Sequence, residues 1–459
     1  MNIKEVKSYY KVTEKIIKED YDDEIIAIPL LNPHSPRSLK KWNLKKKSNL
    51  FQRLFSYFLR LIRNNKNFYY FERKKYDYLI FSHLVSYDNL NYLNDFYFGK
   101  LASNLGKKKV LFVLFDAIGF DKKKIKKKIK GNYIILSNSS GFLNELVMHI
   151  KTGFKIAIKS YKSKNLNIFK IHNVTSSVDN QRIALKVKNI FKMINPKKLI
   201  YTMEGNPYEW LICKEADEFN KNIFKIGYQF SIIRKLHKSL FINLNKPFRP
   251  DHVLTIGEYN KKKLEIDFKK KVKVTNIGII KNKNFSYKKN LKIKKKTINI
   301  LVMPEGIPYE IKYMLDFCIK NIDANVNFTF RLHPIYRKKK EYLKLITNSG
   351  NKIKISENQL SNDFSKNDFI LYRGTAAVID AVNCGLIPIY LKEKEEISVD
   401  PLFELNKNHI IDYDNDLEKF SFNLYNNKLS IKELKILQDF SKRYYDKFNL
   451  QKFNKILNN

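Results

Sequence analysis

From Tyr76 onward the chain alternates short, continuous apolar runs with longer amphipathic or polar stretches. The runs are Tyr78–Phe81, Val110–Phe115, Tyr133–Leu136, Phe154–Ile158, Leu199–Met203 and Phe224–Tyr228. Apolar runs this short, with no polar alternation, predict strands covered on both faces, hence a parallel sheet flanked by helices. The same grammar restarts at Ile298–Val302 and continues through Phe328–Phe330, Ile353–Ile355, Phe369–Tyr372 and Ile387–Leu391. The pattern therefore predicts an N-terminal α/β domain over 76–280 and a second over 297–425. A lysine-rich passage at 281–296 reads as the linker between them. Residues 1–75 form a polar, basic extension with a helix predicted over 49–63, where Leu50, Leu54, Phe58 and Ile62 share a face. At the other end, 426–459 reads as a helical segment, with Leu434, Leu437, Phe440, Tyr444, Phe448 and Phe453 at near-helical spacing, packing on one domain or bridging both. The expected fold class is α/β: two Rossmann-like open parallel-sheet domains facing a cleft, with a C-terminal helix. A ligand site belongs at the strand C-termini in that cleft.

Composition adjusts this picture only slightly. The 459 residues carry a formal charge of +43, which ordinarily suggests nucleic acid or an anionic membrane. Only 12 of the 88 basic residues are arginine, however, and the lysine is spread along the whole chain with abundant Asn, Ile, Phe and Tyr. Runs such as 122–130 and 292–296 thus read as solvated faces and linkers, and no specific nucleic-acid partner is expected. A peripheral attraction to acidic lipid is physically reasonable. Cys213, Cys318 and Cys384 lie far apart without metal spacing, so neither a disulfide framework nor a metal site is expected. With no apolar N-terminal core and no segment of bilayer-spanning length, a cytoplasmic protein, at most at the inner face of the membrane, is the expectation.

Candidate chemistry sits at strand ends. The run 326–332 delivers Arg331 and then His333-Pro334, where the proline holds its predecessor extended. The run 368–372 delivers Arg373, Gly374 and Thr375 before a predicted helix. An imidazole beside a glycine turn and a helix start makes a phosphate site. Arginine supplies a bidentate fork that lysine cannot; the other reading of Arg331 and Arg373 is an ion pair in the core, and Thr375 could serve only as an N-cap. One hexapeptide also recurs, once per domain. Glu204-Gly205-Asn206-Pro207-Tyr208-Glu209 and Glu305-Gly306-Ile307-Pro308-Tyr309-Glu310 each follow a predicted strand. Each sets a carboxylate at a strand end, a glycine for a sharp turn and a proline for the first turn of a helix. Either glutamate is placed to act as a general base or simply to favour its helix N-terminus.

With these residues in view, the chain resembles bacterial surface-carbohydrate glycosyltransferases of the GT-B architecture, in particular the sialyltransferase and capsule-type Kdo-transferase families. The resemblance rests on Met203-Glu204-Gly205, on His333-Pro334 and on Gly374-Thr375 in place of a later Ser/Thr motif, within residues 198–391. Position 203 departs from it, since these families carry a polar or acidic residue there. The resemblance implies an inverting transfer of an acidic sugar from a CMP-activated donor to a glycan or glycolipid acceptor in surface-polysaccharide synthesis, without a metal. Glu204 would be the base, with Gly205 and Glu209 on the acceptor side. His333 would bind the nucleotide phosphate with Thr375, and Arg331, Pro334, Arg373, Gly374, Glu305 and Gly306 would complete the nucleotide side. Glu305 would hold the ribose or base, or be the base if the domain roles are exchanged. A donor such as CDP-glycerol or a nucleoside-diphosphate sugar, or a non-catalytic scaffold of the same fold, fits the same motifs.

Overall fold

The computed structural model describes residues 66–458 except 73–74, 92–94, 107–108, 163–173, 235–239, 241–245, 269–270, 281–296, 335, 338, 350–351, 394–398, 406–408 and 427. The helix expected over 49–63 and the linker at 281–296 lie outside the described residues.

Eight strands build the first sheet: β1 (Phe68–Tyr70), β2 (Tyr78–Leu84), β3 (Val110–Asp116), β4 (Tyr133–Leu136), β5 (Lys198–Thr202), β6 (Phe224–Gln229), β7 (His252–Thr255) and β8 (Lys273–Asn276). Their order is β1-β4-β3-β2-β5-β6-β7-β8. Only the edge strand β1 is antiparallel, pairing Phe68 with Ile135 on β4. Six parallel strands build the second sheet: β9 (Ile298–Met303), β10 (Val326–Phe330), β11 (Ile353–Ile355), β12 (Phe369–Tyr372), β13 (Ile387–Lys392) and β14 (Ile410–Asp412), in the order β11-β10-β9-β12-β13-β14. In each sheet the order runs outward one way and then reverses from the first parallel strand, which is the Rossmann arrangement. The continuous apolar runs are the physical cause. On β3, Val110 through Leu114 are all buried, odd positions facing one core and even positions the other. At roughly 1.5–3 kcal/mol per fully buried aliphatic or aromatic side chain, a strand of this kind is held only when helices cover both faces.

Two expectations change. The run at 154–158 is not a strand; it lies within the Phe142–Lys162 helix. There Ile156 is buried while Phe154 and Ile158, four residues apart on one helical face, are exposed. An alternation at 154, 156 and 158 fits both periods, and the flanking spacing at 146, 150, 154 and 158 settles on the helix. The first sheet also begins with β1, inside the stretch read as an extension.

The C-terminal segment forms two helices, Lys428–Tyr444 and Leu450–Asn458. It bridges both domains. Asp446 N–H donates to Ile256 O at 2.8 Å, Ile279 N–H to Asp446 O at 2.9 Å, and Asn449 N–H to Ile277 O at 2.8 Å. The Tyr444 hydroxyl accepts from Ile233 N–H at 2.7 Å. Gly257 and Gly278, both just past strand ends, permit this approach: a Cβ on either would collide with the backbone carbonyl of Tyr444 or Lys447. One apolar cluster accordingly runs from Ile200 and Ile226 of the first domain through Tyr444 to Leu301 and Ile370 of the second.

Candidate functional site

In the second domain the strand order reverses between β9 and β12, the position where open α/β sheets bind ligands. Glu305-Gly306 follows β9 and leads into the Pro308–Lys320 helix. Arg373-Gly374-Thr375 follows β12, and His333 lies just past β10, the other neighbour of β9. The imidazole packs flat on the Glu-Gly turn: a Cβ on Gly306 would sit 3.1 Å from His333 Nδ1. Burial lowers the His333 pKa below its usual 6.5, so the ring is neutral at pH 7 and offers one N–H rather than a cation. Pro334 is exposed beside it.

The positive charge at this place comes from a residue that the motif pattern did not mark. Arg234, beyond the end of β6 in the first domain, reaches across the cleft and donates through Nη2 to Glu305 Oε1 at 2.8 Å and to Gly374 O at 3.0 Å. Its Nε is buried with no hydrogen-bond partner among the described residues. Burial depresses the guanidinium pKa, and Glu204 is the largest charge pulling it back up. The two strand-end glutamates, one per domain, therefore act on a single guanidinium. Arg234 was recoverable from sequence by the scarcity argument applied to Arg331 and Arg373, since it too is one of the 12 arginines and also follows a strand.

Those two arginines have other partners. Arg373 is 1 % exposed, donates to Leu391 O at 2.9 Å, lies 3.5 Å from Glu310 and 3.6 Å from Glu393, and covers the Tyr313 ring. That is the core ion pair, not a surface for phosphate. Arg331 pairs with Asp363 and donates to Asn358 O at 2.8 Å. Thr375 is buried, and its hydroxyl makes a long contact, 3.4 Å, with Ala377 N–H at the start of the short Ala377–Asn383 helix.

In the first domain the order reverses between β2 and β5. Glu204-Gly205 follows β5, and Glu204 is partly buried. Glu209, one turn into the Pro207–Phe219 helix, folds back on this turn and accepts from Glu204 N–H at 3.0 Å, Gly205 N–H at 2.9 Å and Asn206 Nδ2 at 3.0 Å. It is 2 % exposed, and burial pushes its carboxyl up to about 8 against the pull of those donors. Glu209 thus shapes the turn from inside and does not face an acceptor. Met203 is buried against Gly227, which accounts for an apolar residue there.

A cavity of about 710 Å³ opens at the C-terminal ends of β2, β3 and β4, lined among others by His83, Phe115, Asp116, Asn138, Arg182 and, from the Glu204–Glu209 turn, Tyr208. His83 is the penultimate residue of β2 at the reversal point, and its Nε2 lies 3.1 Å from the Tyr208 hydroxyl. Burial and then the charges of Glu209 and Glu204 raise the Tyr208 pKa. His83 too was missed, although strand-end logic identical to that for His333 picks it out. Among the described residues no group of three His, Cys, Asp or Glu side chains is arranged to hold a metal, and no helix is long and apolar enough to cross a membrane.

No protein-family model matches the chain, and no curated protein matches it in sequence. Solved structures do resemble it at low identity. They include UDP-GlcNAc 2-epimerase from Neisseria meningitidis bound to UDP-GlcNAc, at 11% identity and TM-score 0.49 over 83% of this chain and 99% of that one. The S. aureus MnaA–UDP structure matches at 12% identity and TM-score 0.47 over 84% and 97%. The calicheamicin glycosyltransferase CalG4 matches at 9% identity and TM-score 0.47 over 84% and 98%.

Proposed function

We propose that the protein is a glycosyltransferase of GT-B type that binds a nucleotide-activated sugar at the β9/β12 reversal and an acceptor in the cavity of the first domain. The observation that carries this reading is Arg234, a partly buried guanidinium of the first domain held at two strand-end turns of the second, with Glu305 and Gly374 O as partners. A leaving phosphate needs positive charge and N–H donors where its own charge grows. Arg234 supplies the charge, and the neutral His333 lying on Gly306 supplies a directed N–H.

Glu204 belongs to the acceptor side in this reading, as the first residue of the turn whose Tyr208 lines the cavity. In this reading its carboxylate takes the proton of an acceptor hydroxyl as oxygen attacks the anomeric carbon from the face opposite the phosphate. The C–O bond to the nucleotide breaks in the same displacement, the configuration inverts, and the proton stays on Glu204. Glu305, engaged by Arg234, positions the guanidinium.

The finer reading is a CMP-activated acidic sugar passed to a glycan or glycolipid in bacterial surface-polysaccharide synthesis, metal-independent because the charge of Arg234 and the N–H of His333 meet the needs of a monophosphate. A nucleoside-diphosphate donor is the second reading, favoured by the N–H that Arg234 Nε has to spare for another phosphate oxygen. The test is the thermal shift of the full chain with CMP, CDP, UDP and GDP, repeated on His333→Ala and Arg234→Met. Stabilisation by CMP that both variants lose supports the finer reading. A response to CDP or UDP alone selects the second. No response to any of the four, from a folded protein, removes the nucleotide site and with it the transferase.

A further inference from the structure

The Phe142–Lys162 helix is apolar on the wrong side for a helix of a free-standing domain. Leu143 is 72% exposed, Phe154 67% and Tyr161 86%, and Val147, Ile150 and Ile158 are each about half exposed. Phe142 and Leu146 extend the same face toward the N-terminus. At about 100° per residue these eight positions fall within an arc of roughly 160°. The side turned to the domain is the more polar one, with Glu145, Thr152 and Ile156 buried. The Arg182 guanidinium takes Glu145 through Nη2 at 2.6 Å, so the one acid of the helix is neutralised within the domain. What faces outward is a stripe about 30 Å long, flanked by the exposed Lys151 and the partly exposed Lys155. Scattered exposed apolar residues are ordinary, but a contiguous stripe of this size marks an interaction surface.

We infer that this face docks the protein on an anionic lipid bilayer, with the helix lying in the interface plane, its apolar side chains among the acyl boundaries and its lysines at the headgroups. Charge selects this occupant over a second copy of the chain. Each copy carries +43, so two copies repel one another, whereas an acidic leaflet attracts either. The first turn of the helix is tied to the wall of the first-domain cavity, because Arg182, the partner of Glu145, also lines it. A bilayer seated on the helix therefore lies beside that cavity. The inference goes beyond the transferase reading and holds with or without it.

The experiment is vesicle flotation of the full chain with phosphatidylcholine alone and with added phosphatidylglycerol, at low and moderate salt. The comparison variant is Leu143→Gln/Val147→Gln/Phe154→Gln, which removes apolar surface without changing charge at three exposed positions. Circular dichroism and the thermal midpoint confirm that it folds. A second variant, Lys123→Glu/Lys126→Glu/Lys127→Glu, removes charge from exposed lysines of another helix and leaves the stripe intact. Wild type is expected to float with the anionic vesicles and keep part of that binding at moderate salt, and the glutamine variant is expected to lose about tenfold or more in partitioning. Three results overturn the inference. One is no flotation of wild type on anionic vesicles. Another is flotation that the glutamine variant retains while salt or the lysine variant abolishes it. The third is a wild-type dimer in sedimentation that the glutamine variant dissociates, which would assign the stripe to self-association.

Discussion

The two Glu-Gly-x-Pro-Tyr-Glu turns are nearly the same six residues, yet the two domains use them differently. In both, the second glutamate folds back to a backbone N–H of the first: Glu209 to Glu204 at 3.0 Å, Glu310 to Glu305 at 3.2 Å. Among the described residues the second-domain copy alone adds a cation, Arg373, 3.5 Å from Glu310. The glycines also differ in purpose. Gly205 has φ of +83°, a left-handed conformation that other residues adopt at a cost. Gly306 instead lies under the imidazole of His333, where an added Cβ would make a tight 3.1 Å contact with Nδ1. The first glutamates differ as well, since Glu305 is tied to Arg234 while Glu204 heads the turn whose Tyr208 lines the cavity. One local sequence solution for leaving a strand and entering a helix has been fitted to two roles, and the surroundings set each role.

The most forceful way to break this comparison is to neutralise each first glutamate. With the donor class that stabilises the protein, Glu204→Gln is expected to lower kcat by about 10²–10⁴-fold and leave the nucleotide-induced thermal shift intact. Glu305→Gln is expected to weaken nucleotide binding instead. Should Glu305→Gln abolish turnover with binding preserved, the roles of the two turns are exchanged.

Next in size is the buried cation. Arg373→Leu strands Glu310 and Glu393 without their partner and is expected to cost about 3–5 kcal/mol in urea unfolding, against about 1 kcal/mol for Glu209→Gln. Equal costs would mean that the extra cation does not distinguish the turns.

A smaller effect follows from protonation. Burial raises the Glu209 carboxyl from its usual 4.5 to about 8. The folded protein therefore holds that proton more tightly than the unfolded chain. The associated stability is complete below about pH 4.5 and is lost as pH rises toward about 8. Thermal midpoints across that window should fall more steeply for wild type than for Glu209→Gln. Parallel curves would show that the three N–H donors hold the carboxylate ionised.

Smallest is the pair of glycine replacements. Gly205→Ala is expected to cost about 1–2 kcal/mol of stability with unchanged nucleotide binding. Gly306→Ala is expected to leave stability within about 1 kcal/mol and to weaken nucleotide binding by displacing His333. Nucleotide titration and unfolding of both variants read the contrast directly.

Much of this architecture was legible in the chain because strand burial leaves a local record. Val110–Phe115 and Ile298–Val302 announce two-sided burial without any knowledge of their neighbours. The strand-end rule likewise located Glu204, Glu305 and His333, because a loop after a parallel strand must open at one edge of the sheet. The rule failed where a run satisfied two periods at once, as at Phe154–Ile158, and where one residue type serves two ends, as with Arg373. Nothing local separates an arginine that feeds a core from one that crosses a cleft.

By itself, then, the sequence determined the α/β grammar, the repeated turn and the strand ends at which chemistry can sit, since these follow from period, propensity and short-range sterics. Tertiary structure alone decided that Arg234 of one domain meets Glu305 and Gly374 of the other, that Gly257 and Gly278 receive the C-terminal segment, and that an apolar helical face points outward. Each of these depends on which surfaces meet across long stretches of chain, and the pairing of distant surfaces is settled by the packing of the whole molecule.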